Sequence, residues 1–272
     1  MLITPTKDDL IALTPLNPWD RDEYGRPYVP DEWIERMKLV TTEEAWGTLI
    51  RNGYPRQFEG NWKETHPGKI TVGRAVTGQF IPHRPDFHDV VQKTGVAEGR
   101  GSSGGQNSWI INTLKLNDVM VIDIFGKVHN GTVIGDNLGT SIRTRTHAGA
   151  VIDGGIRDYA GLTQLQDVNF YMRGMDPTAI ADVTLAGLNI PIRINNCTIL
   201  PGDIVLGTPT GVIFIPPHLV QEVVEQSEDI RVRDDWGKQQ LADGTYTPGE
   251  IDSKWTEKIE ADFAAWKQAR GL

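Results

Sequence analysis

Cysteine is almost missing: Cys197 is the single one in 272 residues. That excludes an internal disulfide framework and a zinc site built on several thiolates. No apolar run approaches the roughly 20 residues needed to cross a bilayer, so no membrane partner is expected. Nor is there a dense Lys/Arg cluster, and the formal net charge is -9. A nucleic-acid partner, which needs a basic face, is therefore not expected. The N-terminus meets Pro5 and then Lys7-Asp8-Asp9 before any apolar run develops. A secretory leader is not expected from that pattern, and a cytoplasmic location is the default.

What is present is an ordinary globular composition, 39% hydrophobic and 23% charged. The chain reads as one domain over residues 1–272, with a core over about 70–220, an N-terminal extension over 1–69 and a C-terminal helical arm over 221–272. Residues 1–40 are rich in proline and aromatics and suit an ordered arm better than a packed domain. Pro30-Asp31-Glu32-Trp33 marks a helix start. Thr41 with Glu44 forms a capping box, and the helix that it opens should end at Gly53. Lys69–Thr77 alternates as a strand does. The run Val119-Met120-Val121-Ile122-Asp123 after the Leu116-Asn117-Asp118 turn is that of a strand covered on both faces. Ile190–Ile194 and Cys197–Leu200 should pair through Asn195-Asn196, with strands following at Ile204–Leu206 and Gly211–Ile215, so the sheet should be mixed. Ile251, Trp255, Ile259 and Phe263 recur every fourth position, which predicts one apolar helical stripe.

Between Gln79 and Ser108 the sequence predicts a loop or lid. Gly99, Gly101 and Gly104 satisfy the letters of a dinucleotide fingerprint, but neither a buried strand before them nor good helix formers after them is present. His83 and His88, beside Asp86 and Asp89, have a spacing able to hold a metal, although Pro82 and Pro85 should interrupt a helix there and a solvated loop is the simpler reading. Seven of the eight tryptophans lie outside residues 71–220. That much aromatic area needs a burial partner, either the chain's own core or a neighbouring subunit.

The segment on which the reading turns is Gly135–Asp158: a Gly-Asp-Asn-Leu turn, a helix-length piece, then Ala150-Val151-Ile152 running into Asp153-Gly154-Gly155-Ile156-Arg157-Asp158. A helix of about ten residues at roughly 1.5 Å each is nearly cancelled by a returning strand of about five at roughly 3.3 Å each. Asp136 should therefore meet Arg157 and Asp158 on one sheet edge, where open α/β sheets bind ligands. There, a lone Asp158 after a glycine turn suits Mg²⁺ held mostly by water and equally suits a helix N-cap. Arg157 offers a planar fork for a carboxylate or enolate oxygen, or else a salt bridge. Gly135, Asp136, Asn137 and Leu138 offer helix-start N–H groups for a carboxylate, while Asp136 would otherwise merely cap.

This spacing of Asp, then twenty residues, then Arg-Asp, with its flanking glycines, resembles the family that contains the class II 4-hydroxy-4-methyl-2-oxoglutarate aldolases and the regulator of ribonuclease E activity. The resemblance covers roughly residues 70–217. It implies an α/β fold, a layered mixed sheet with flanking helices around a swivelling-domain-like ββα core. It also implies a lyase that cleaves a 4-hydroxy-2-oxo acid to pyruvate and a second carbonyl compound, with oxaloacetate decarboxylation on the side. Asp158 would be the metal ligand for Mg²⁺ or Mn²⁺, Arg157 would stabilise the enolate, and Asp136 would orient a metal-bound water. Gly135, Asp136, Asn137, Leu138 and Arg157 would contact the 2-oxo acid. No lysine lies between Gly135 and Asp158, and none is needed for a Schiff base. The family implies a homotrimer or hexamer, with a neighbour's acid helping at the metal, for which Asp234 and Asp235 are candidates. Its regulators imply the alternative, a non-catalytic binding protein. Thr208-Pro209-Thr210 and His147 depart from the family pattern.

Overall fold

A computed structural model describes residues 3–101 and 105–271. In chain order the elements are α1 (Lys7–Leu13), α2 (Asp31–Met37), α3 (Thr42–Arg51), β1 (Phe58–Glu59), β2 (Lys63–Glu64), β3 (Thr71–Pro82), α4 (Pro85–Ala97), α5 (Gln106–Ile111), β4 (Asp118–Asp123), β5 (Thr132–Ile134), α6 (Asp136–Thr146) and β6 (Gly149–Ile156). There follow α7 (Tyr159–Leu162), β7 (Asn169–Met175), β8 (Val183–Leu188), β9 (Ile192–Ile194), β10 (Cys197–Ile199), β11 (Ile204–Thr208), β12 (Gly211–Ile215), α8 (Val220–Ala242), α9 (Pro248–Ile251) and α10 (Glu257–Arg270).

The fold is α/β with one large mixed sheet, ordered β1-β12-β11-β3-β4-β6-β7-β2, to which β5 adds beside β6 and β8 beside β3. Strands β3, β4, β6 and β7 run parallel, as does β5 against β6. The other pairings in that sheet, including β11 with β3 and β12, are antiparallel. Strand β4 shows why the central strands read as continuous apolar runs: Met120 and Ile122 face one core with α5 and α6, and Val119 and Val121 face another with the β9–β10 hairpin. Each such fully buried aliphatic contributes roughly 1.5–3 kcal/mol.

Local signals explain the boundaries. Thr41 and Glu44 close the capping box reciprocally, at 3.2 and 2.8 Å. Asn195, with φ +49°, turns the β9–β10 hairpin. The segment 79–108, however, is not a lid. Strand β3 runs on to Pro82, Pro85 stands in the first turn of α4, where its missing N–H costs nothing, and α5 buries Trp109, Ile110 and Ile111 despite its weak helix formers. The glycines of the fingerprint follow a helix rather than a strand, which removes the dinucleotide reading, and Gly104 lies outside the described residues.

The chain forms two compact units, Met1–Val224 and Glu225–Leu272. One further expectation is corrected. The N-terminal 40 residues are not an arm: Val29, Trp33, Ile34 and Met37 pack with Ile204, Ile213 and Ile215. Arg26 ties this segment down by ion pairs to Asp22 and Asp118, both at 3.0 Å. Arg74 does the same through Asp31 at 2.9 Å and the carbonyl of Val29 at 2.5 Å.

In the second unit, Ile251 and Trp255 belong to different segments from Ile259 and Phe263, because Thr256 caps a new helix, α10. The four still converge on Trp236 and Tyr246, so the stripe is a small folded core instead of one continuous helix face. Most of the terminal tryptophans are thereby packed within their own unit. Trp46, 48% exposed, is the exception among them.

Candidate active site

Strands β5 and β6 lie parallel and adjacent, so the helix starts that follow them share one sheet edge. Asp136 opens α6 directly after β5, and Arg157-Asp158 follows β6. The Arg157 N–H donates to the Ile134 carbonyl at 3.0 Å, which locks the two strand ends together. A Cβ on Gly135 would lie 2.3 Å from Asp158 Oδ2 and 3.1 Å from Arg157 Nε. Glycine there is thus a steric requirement for the carboxylate's position. Gly161 plays the same part for Asp136: a Cβ on it would lie 2.7 Å from that residue's Cβ and 2.9 Å from its Oδ2. Gly161 was not singled out from sequence. The signal that would find it is the turn after the Arg-Asp pair, read together with the helix that it faces.

Asp158 has φ +52°, in the left-handed region that non-glycine residues seldom adopt. It stands at the start of α7, yet its side chain makes no capping bond. Among the described residues its carboxylate pairs with Arg157 Nε alone, at 3.6 Å, and both side chains are more than two-fifths exposed. That is a weak, solvated contact. Asp136 is exposed, and its Oδ1 accepts the Asn137 N–H at 2.8 Å. The predicted cradle of N–H groups over Gly135–Leu138 is therefore partly used internally, while the Leu138 N–H has no partner among the described hydrogen bonds. The edge gathers Gly135, Asp136, Asn137, Leu138, Arg157 and Asp158, as the helix-and-strand arithmetic expects.

Among the described residues, no group of three or more His, Cys, Asp or Glu side chains is placed to hold a metal. Asp158 as a lone, unengaged oxygen donor fits a hard cation that keeps most of its water. His83 and His88 have ring centroids 4.6 Å apart. They line a cavity of about 360 Å³ with Gln92 and Asp182, and His88 Nδ1 lies 2.9 Å from the Thr184 hydroxyl. Thr208 and Thr210 form a hydroxyl cluster with Thr42. His147 ends α6 in the left-handed conformation, 3.6 Å from Asp167. Asp234 lies in the second unit, 3.7 Å from Lys238. No described helix is long and apolar enough to cross a membrane.

Comparison with known proteins bears on this geometry. Over 183 residues the chain is 27% identical to Protein DlpA of Legionella pneumophila, covering 67% of this chain and 27% of that protein. Over 126 residues it is 29% identical to a Halalkalibacterium halodurans protein provisionally named 4-hydroxy-4-methyl-2-oxoglutarate aldolase, covering 46% and 59%. The chain thus spans about a quarter and three-fifths of these relatives' lengths. The crystal structure of Streptomyces coelicolor RraAS2, described as an unusual member of the RNase ES inhibitor RraA protein family, matches with a TM-score of 0.64 at 22% identity, over 81% of this chain and 99% of that one. An uncharacterized protein from Pseudomonas syringae pv. tomato matches at 0.66 and 20%, over 82% and 93%. Both likenesses speak for the fold. A family model described as RraA-like, Aldolase/RraA, matches residues 43–214, more than half of the chain. The chain therefore belongs to the RraA-like family, which takes in both aldolases and ribonuclease inhibitors.

Proposed function

We propose that this protein is a divalent-metal-dependent lyase that cleaves a 4-hydroxy-2-oxo acid to pyruvate and a second carbonyl compound. The observation that supports it most is the convergence at one exposed edge of Asp136, Arg157 and Asp158 around a glycine whose missing Cβ makes room for the Asp158 carboxylate. A structural salt bridge would be expected to be shorter and more enclosed than the 3.6 Å solvated pair seen here.

Asp158 is the residue that would hold Mg²⁺ or Mn²⁺, and the bound ion would supply Lewis-acid polarisation of the substrate's keto oxygen. The Leu138 N–H, at the positive end of α6, takes the carboxylate of the pyruvyl portion. Asp136 holds a water against the 4-hydroxyl group and directs removal of its proton. The carbon–carbon bond then breaks and the electron pair passes into the pyruvyl enolate, whose oxygen the Arg157 guanidinium holds. Oxaloacetate loses carbon dioxide through the same enolate, so its decarboxylation follows as a side activity. We propose further that the protein self-associates, as a trimer or hexamer, with a second copy bringing an acid to the lone Asp158.

The test is incubation of the full chain with oxaloacetate and Mg²⁺ or Mn²⁺, with and without chelator. Pyruvate should form only with metal and fall below detection in Asp158→Asn. An absence of turnover with either metal would sink the lyase and favour a binding protein that works through a surface.

A further inference from the structure

Where β11 begins and β12 ends, the first unit holds a cavity of about 300 Å³, at the lower end of the range for small-molecule sites. Its walls are apolar: Leu13, Pro15 and Leu16 on one side, Leu200, Pro216 and Pro217 on the other. One strongly acidic group lines it. Asp203, 3% exposed, sits in the turn before β11, its backbone carbonyl fixed by the Ala75 N–H at 2.8 Å. Its Oδ2 accepts the Leu200 N–H at 2.8 Å, and its other oxygen has no partner among the described hydrogen bonds. None of the described lining residues is a lysine or arginine. The nearby guanidiniums are committed elsewhere: Arg26 to Asp22 and Asp118, Arg74 to Asp31, and Arg21, behind the wall at Thr14, to the Thr14 hydroxyl and carbonyl and the Gly25 carbonyl.

We propose that this cavity binds a small primary amine with an apolar body, its ammonium group seated on the Asp203 carboxylate. A buried acid without a basic partner is costly, and a small organic cation supplies the missing charge while its body covers the apolar walls. An anionic ligand would be repelled. A neutral one would leave the carboxylate uncompensated. Tyr54 and His218, whose rings are 5.8 Å apart and whose Oη and Nε2 atoms lie 3.2 Å apart, add aromatic faces attractive to a cation. Burial lowers the His218 pKa, which disfavours a charged ring beside Asp203. Burial also pushes the Asp203 carboxyl up to about 7, against the Leu200 hydrogen bond that lowers it.

The experiment is calorimetric titration of the full chain with benzylamine and with benzyl alcohol, its neutral isostere. Near pH 8 benzylamine should bind saturably, with the alcohol weaker by about tenfold or more. Asp203→Asn keeps an oxygen for the Leu200 N–H and should lose about tenfold in amine affinity. As a check on its folding, it should melt above the wild type near pH 8, because it no longer buries an ionised acid. Leu16→Trp, which plugs the mouth from an exposed position, should abolish binding of both compounds. The amine's affinity should fall as pH drops below 7 and Asp203 takes up a proton. That fall should persist in His218→Gln, which separates Asp203 from the imidazole on the same wall. Equal binding of amine and alcohol, an Asp203→Asn variant that binds as well as wild type, a pH dependence lost with His218, or no binding at all would overturn the proposal.

Discussion

Two arginine–aspartate pairs in the first unit have the same chemistry and opposite settings. Arg26 and Asp118 meet at 3.0 Å with 2% and 0% of their side chains exposed, and the Asp118 carboxylate also accepts the Lys115 N–H at 2.8 Å. Arg157 and Asp158 stand 3.6 Å apart, 44% and 42% exposed. The first pair is enclosed and engaged: the Arg26 guanidinium bonds Asp118 Oδ2 and so joins the N-terminal segment to β4. The second is left with its capacity unspent. Residue type alone does not tell an engaged ion pair from an available one. Burial and the number of partners already taken do.

The comparison breaks first at Arg26. Arg26→Met leaves Asp118 buried without its cation and should destabilise the first unit by about 3–5 kcal/mol, read as a lowered midpoint in urea unfolding. A loss near zero would mean that the buried pair is no anchor. Gly135→Ala comes next and acts on activity rather than stability. A methyl 2.3 Å from Asp158 Oδ2 must displace that carboxylate, and displacements of this size cost roughly 10²-fold in rate. Metal-dependent pyruvate release should drop accordingly while the unfolding midpoint moves little. The smallest effect is expected from Arg157→Gln on stability. A solvated pair contributes about 0–1 kcal/mol, so its midpoint should stay close to wild type even as turnover falls. A large destabilisation would instead make Arg157 a structural residue.

Much of the architecture was legible because it is written in local rules. The capping box at Thr41, the turn at Asn195-Asn196 and the β-branched run of β4 each act over a few neighbouring residues, and each formed where expected. The corner at Asp136 was legible for a related reason: a helix and a strand of opposite direction have fixed rises, so their lengths set where their ends return. Segment 79–108 was misread because proline is a breaker inside a helix and harmless in its first turn, a distinction that depends on where the helix begins. Helix α5 forms from poor helix formers because Trp109, Ile110 and Ile111 gain more by burial than their propensity loses. The fourfold spacing of Ile251 to Phe263 was real, but Thr256 restarted the helix, and only packing on Trp236 reveals what the spacing serves.

By itself the sequence determined the alternation of elements, the mixed character of the sheet and the meeting of Asp136 with Arg157 and Asp158, because hydrophobic period, capping chemistry and element rise are local quantities. Only the tertiary structure decided that the N-terminal segment is core rather than arm, that Gly161 clears the space for Asp136, and that Asp203 lines an apolar cavity without a cation. Those facts depend on which distant residues are brought together and on how much water is left between them, and neither is encoded in the spacing along the chain.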